Sequence, residues 1–145
     1  MQIKAIIEIP KGSDRRIHMS YDKNGFKDYG SIKEKIPVND GVMPVCYGYI
    51  ENAINKTEKD NVDVIIFSNK QYRTGDKIEV EVVGMLNRED GDHKIIAIDD
   101  SVAYANFSDV TAQERKLILD YFGHTHKIVV EEKEKAMEYL ADCSS

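Results

Sequence analysis

The sequence predicts an α+β fold: a β body of many short strands, with one or two C-terminal helices packed outside it. Three observations carry this. Up to about residue 100, short apolar and β-branched runs alternate with polar turn signals. Beyond residue 110 the period changes, because Thr111-Ala112-Gln113-Glu114 fits a capping box and Leu117, Ile118, Tyr121 and Phe122 recur at helical spacing. No repeat, low-complexity tract or Pro/Gly-rich linker divides the chain, so its 145 residues are expected to form one domain, 1–145, around a single core. Many short strands joined by polar turns suit a barrel or a sandwich.

In chain order, Ile3 to Ile9 is the first expected strand, and Gly12-Ser13-Asp14 turns the chain into a second, Ile17 to Tyr21. Lys23-Asn24-Gly25 is the next turn signal. Ser31 to Ile36 and Val45 to Ile50 read as short strands on either side of Asn39-Asp40-Gly41. Strands at 62–67, 77–84 and 94–99 follow. The first helix starts from Thr111, and a second, Glu132 to Ala141, places Ala136, Met137 and Leu140 on one face. These helical positions are core contacts in this reading.

Composition narrows the function. A net charge of −6 argues against a nucleic-acid backbone as partner. A β-barrel that grips single-stranded nucleic acid needs a basic groove and stacking aromatics; tryptophan is absent and the loops are acidic. Cys46 and Cys143, the two cysteines, form neither a disulfide framework nor a metal-finger spacing. With no apolar signal region and no membrane-length run, the expectation is a cytoplasmic protein with no membrane partner.

Two acidic stretches stand out. Glu58, Asp60 and Asp63 lead into the apolar run Val62 to Phe67, and so are expected on the loop where a buried strand starts. Three carboxylates this close repel unless something positive lies between them, and a hard divalent cation such as magnesium prefers oxygen ligands. A solvated acidic turn is the plain alternative. Glu89-Asp90-Gly91-Asp92-His93-Lys94 reads as a hairpin tip between two strands. The two acidic loops and Lys94 can share one site, with metals facing a phosphate-like anion. His124 and His126 are a weak metal pair without a third ligand and fit a polar helix end as well.

Five segments in order resemble the soluble family I inorganic pyrophosphatases. They are Ile7-Glu8-Ile9-Pro10, Pro44-Val45-Cys46-Tyr47-Gly48-Tyr49-Ile50, Asp60-Asn61-Val62-Asp63-Val64, Val83-Gly84-Met85-Leu86 and Asp92-His93-Lys94-Ile95-Ile96-Ala97-Ile98. Asp99-Asp100 and Tyr104-Ala105-Asn106 extend the likeness, which covers about residues 3 to 127. The resemblance implies a small closed OB-like β-barrel with helices outside. It implies metal-dependent hydrolysis of pyrophosphate to two phosphates by a metal-activated water, with Mg2+, or alternatively Mn2+, as cofactor. It also implies a homo-oligomer, since bacterial members are often hexamers.

Residue by residue, the resemblance makes Asp60 the general base and sets Tyr47 beside the water and metals. Glu58, Asp63 and Asp92 become metal ligands, with Glu89 or Asp90 as a further one. Lys94, Lys35 and Lys127 fall at phosphate-facing positions, Glu8 matches the glutamate of I-E-I-P, and His18 stands where the family has a lysine on its second strand. The departures lie mostly on the phosphate side. With a one-residue shift in the turn before it, that strand carries His18 and Ser20 in place of a lysine and a glutamate. Met43 replaces a tyrosine, Cys46 an asparagine, Lys59-Asp60-Asn61 a Gly-Asp-Pro turn, and Lys35 an arginine, losing its bidentate fork. The pattern therefore also admits a hydrolase of a different phosphoanhydride, or a weakened metal- or phosphate-binding module on the same scaffold.

Overall fold

The computed structural model describes residues 2–20 and 24–143. Strand β1 (Gln2–Ile9) leads into a hairpin of β2 (Arg15–Met19) and β3 (Phe26–Ser31), followed by two short 3₁₀ turns. Strands β4 (Cys46–Asn55), β5 (Asp60–Phe67), β6 (Lys77–Arg88) and β7 (Lys94–Ile98) come next. A 3₁₀ turn, helix α1 (Ala112–Phe122), strand β8 (Ile128–Glu132) and helix α2 (Lys133–Cys143) complete the chain.

The barrel is closed. β1, β4, β5, β7 and β6 pair in that order, and β6 returns to β1. All pairings are antiparallel except β5 with β7. β6 changes neighbour along its length: residues 77–81 pair with β1, and Gly84 to Arg88 pair with β8. The alternation of β5 explains its doubly apolar sequence. Val62, Val64 and Ile66 join a core that includes Ala136 and Leu140 of α2. Ile65 and Phe67 join a second core that includes Ile118, Tyr121 and Phe122 of α1. Gly48 lets β4 approach β1 closely, because a Cβ there would lie 2.0 Å from the Ile6 carbonyl oxygen.

The expected α+β barrel with two outer helices is present. Thr111 caps α1, its hydroxyl accepting from the Glu114 N–H at 3.2 Å. Several boundaries differ. The expected second strand is β2, Arg15–Met19; Tyr21 of that expectation, and Lys23 of the turn signal, lie outside the described residues. Ser31 to Ile36 is not a strand. Ser31 ends β3 and its hydroxyl accepts from the Lys33 N–H, starting a 3₁₀ turn at Ile32–Glu34. β3 exposes Lys27, Asp28 and Tyr29 and only half-buries its other residues, and so lacks an apolar signature. β8 escapes the sequence because its burial comes from pairing with β6, and Val129 and Val130 remain exposed. β5 begins at Asp60, which puts Asp60 and Asp63 on the strand rather than on the loop before it. No helix among the described residues is long and apolar enough to cross a membrane.

Candidate active site

β5 and the β6–β7 tip bring the two acidic stretches together. β5 and β7 run parallel with Asp63 opposite Lys94, so both start at the same end of the barrel. Asn55, only 3 % exposed at the end of β4, joins the loops. Its side-chain oxygen accepts from the Thr57 and Glu58 N–H groups at 2.9 and 3.2 Å, and its amide donates to the Gly91 carbonyl at 3.0 Å. Gly91 fits because its φ is +84° and because a Cβ would meet the Thr57 methyl at 2.8 Å. The outcome is a cluster in which carboxylate oxygens of Glu58, Asp90 and Asp92 lie within 4.8 Å of one another.

The site is a cavity of two lobes. One, of about 270 Å³, is lined by Glu8, His18, Tyr47, Tyr49, Glu58, Asp60, Asn61, Asp63 and Asp92. The other, of about 220 Å³, is lined by Arg16, Lys35, Arg88 and Lys94, with Tyr121 and Phe122 as an aromatic wall. His18, Tyr47 and Asp92 border both. An acidic lobe therefore abuts a cationic one. A cavity of about 470 Å³ elsewhere, bordered by Lys11, Lys70 and Tyr104, holds none of the residues expected in the site.

Lys94 is the hinge between the lobes. Its side chain is 5 % exposed; Nζ lies 2.6 Å from Asp63 Oδ2 and 3.1 Å from Asp92 Oδ1, and donates to the Tyr47 hydroxyl at 3.0 Å. Burial pushes the Asp63 carboxyl up to about 6, with Lys94 opposing the rise. Burial also works against ionised Asp92, but Lys94 and Arg88 hold it below the usual carboxylate range. Lys94 itself is raised, because the two carboxylates outweigh its loss of solvent. Burial, then Asp63 and Asp92, keep the Tyr47 phenol protonated.

The remaining expected residues separate into two groups. Glu8 is buried; Oε2 accepts from the Met19 N–H at 2.7 Å and lies 3.6 Å from His18 Nδ1, so it ties the β2–β3 hairpin to β1. Lys35 borders the cationic lobe. Glu89 turns away toward His126, 3.7 Å from Nδ1, and is absent from the carboxylate cluster. Lys127 is exposed and borders neither lobe; its carbonyl accepts from the Glu89 N–H. The chain between α1 and β8 spends its length on pairing with the tip and does not reach into the cavity. His126 faces Glu89 and Asp90, in place of a histidine metal pair with His124.

Arg16 and Arg88 are cations that the sequence reading missed. Arg16 stands two before His18 on β2, and the period of two puts both on one face. Arg16 and His18 both border the cationic lobe, and His18 also lies beside Glu8. Arg88 ends β6, and nothing in an apolar run marks its last residue as part of a site.

A family model described as inorganic pyrophosphatase matches residues 5–144. An inorganic pyrophosphatase of Halalkalibacterium halodurans is 32% identical over 66% of this chain, which spans 57% of that relative's length. One from Ureaplasma parvum is 30% identical over 84% of this chain and 68% of its own. The crystal structure of an inorganic pyrophosphatase from Ehrlichia chaffeensis superposes with a TM-score of 0.85 at 23% identity, covering 98% of this chain and 92% of that one; this likeness is one of fold.

Proposed function

The chain belongs to the inorganic pyrophosphatase family, and on that premise we propose that it hydrolyses inorganic pyrophosphate to two phosphates in a divalent-cation-dependent reaction. The observation that carries the reading is the shared border of the lobes, where Asp92, Tyr47 and His18 separate clustered carboxylates from clustered cations. A phosphoanhydride between metal ions needs this pairing.

Glu58 and Asp63 line the acidic lobe with oxygen donors only and so suit Mg2+ or Mn2+, while Asp90 and Asp92, beside Glu58, are engaged by Arg88 and Lys94. Bound there, the ion supplies positive charge to phosphate oxygens and acidifies a coordinated water. The protein's residues do the rest. Asp60, on the rim of the acidic lobe, takes the proton of the attacking water. Asp63 completes the acidic wall and is held by Lys94. Lys94, Arg16 and Lys35 bind the phosphate oxygens and offset charge on the leaving group. Tyr47 presents its hydroxyl between the lobes, fixed by the Lys94 ammonium. Glu8 and His18 set the hairpin that carries Arg16. The protein works as a homo-oligomer in the cytoplasm; its two free buried cysteines suit a reducing compartment.

The test is phosphate release from pyrophosphate with Mg2+ and, separately, Mn2+. Wild type runs beside Asp60→Asn and Asp63→Asn. Metal-dependent release that each substitution lowers about a hundredfold or more supports the assignment. A folded wild type that releases nothing with either ion overturns it, and metal uptake without turnover would mark a binding module.

A further inference from the structure

The Asp90–Asp92 pair is expected to draw divalent cations, yet among the described residues it already has cationic partners on every oxygen. Arg88 Nε donates to Asp90 Oδ1 at 2.8 Å, and Nη2 donates to Asp90 Oδ2 at 2.7 Å. The same Nη2 donates to Asp92 Oδ2 at 3.0 Å, and Lys94 Nζ lies 3.1 Å from Asp92 Oδ1. The fork is planar and permanently charged, so it satisfies Asp90 with both arms and bridges to Asp92.

The guanidinium is also anchored. Arg88 is the last residue of β6, its backbone pairs with Ile128 of β8, and its N–H donates to His93 Nδ1 at 3.0 Å. Its side chain is 17% exposed and borders the cationic lobe against Phe122. A flexible surface arginine shares none of these restraints. Glu58, the third carboxylate of the cluster, makes no ion pair with any described residue and faces the open side.

We propose that Arg88 is a resident cation of the site: its guanidinium holds Asp90 and Asp92 at a fixed separation and stands in for one divalent ion that the pair would otherwise recruit. Arg88 is thus a positioning residue that acts through the two carboxylates. One positive charge already present lowers the attraction for a second cation a few ångströms away, while the Glu58 side of the cluster stays available. The inference rests on the pyrophosphatase reading only for its kinetic consequence, a smaller metal requirement; the geometry holds without it.

The experiment titrates Mn2+ into metal-free protein without pyrophosphate, followed by calorimetry and by the electron paramagnetic resonance signal of free Mn2+. Arg88→Gln, checked for folding by circular dichroism, is expected to take up one more Mn2+ per chain than the wild type. Arg88→Lys keeps the charge and is expected to match the wild-type count. Should Arg88→Gln not fold, Arg88→Met, similar in length and able to pack on Phe122, replaces it. An unchanged count in the folded neutral variant overturns the proposal. An equal gain in Arg88→Lys overturns it too, since charge would then not be what excludes the ion. Phosphate release by the wild type is measured in parallel; its absence would sink the pyrophosphatase reading and leave the metal count to be judged alone.

Discussion

Asn55 does more for the site than its chemistry suggests. It lines neither lobe, but its three side-chain hydrogen bonds hold the Glu58 turn against the Gly91 tip. Asn55→Ala is expected to destabilise the fold by about 1–3 kcal/mol, since buried partners are left unsatisfied. It should also weaken Mn2+ binding; thermal unfolding and the Mn2+ titration measure the two effects separately. Asp99 is a second buried polar residue with a structural role. Burial would raise its carboxyl, but the Ser101, Ser68 and Tyr72 hydroxyls and the Ser101 N–H all donate to it and bring it below its ordinary value. A lowered folded value means that this stability is present above the unfolded value of about 3.9 and is lost as pH falls through the folded one. The unfolding temperature of Asp99→Asn should therefore lie below wild type at pH 7, and the gap should close as pH is taken below 4. The acids and Lys94 were legible because a hairpin tip and a strand start are local patterns. Arg16 and Arg88 were not: one needed the register of a polar hairpin, the other a tertiary contact.

At the scale of elements, β5 shows how a strand can serve one site with residues three apart. Asp60 and Asp63 would face opposite sides of a regular strand. Along β4 the register jumps from Tyr49 opposite Asp63 to Ile54 opposite Asn61, a bulge whose extra residues lie on β4, and Asp60, at the first position of β5, borders the acidic lobe together with Asp63. No sequence pattern announces that bulge, whereas the apolar strand after it was plain. Gly48 makes the complementary case on β4. Gly48→Ala drives a methyl into the Ile6 carbonyl and is expected to cost about 3 kcal/mol or more, read as loss of soluble protein or a large drop in unfolding temperature. β3 and β8 were missed for one reason: each takes its order from a partner strand and shows solvent a mixed face.

Across the whole molecule, the charge is distributed with a purpose. The net charge of −6 includes the carboxylates gathered at one end of the barrel, and the cations of the second lobe stand next to them. Divalent ions that bind only the folded state should stabilise it, by about 2.7 kcal/mol at a hundred times the dissociation constant. Adding Mg2+ to metal-free protein is therefore expected to raise the unfolding temperature, and Glu58→Gln to reduce the rise. The barrel closure between β1 and β6 has a further consequence, for the order of folding. The closing pair joins residues 2–6 to residues 77–81, a long loop to shut, and contacts so distant in sequence form slowly. The acids on β5 and at the β6–β7 tip belong to the strands of that ring. During synthesis the ring cannot shut before β6 has left the ribosome, and β7, with Lys94, follows it. The chain thus completes its metal-gathering end only once β7 has emerged to sit between β5 and β6.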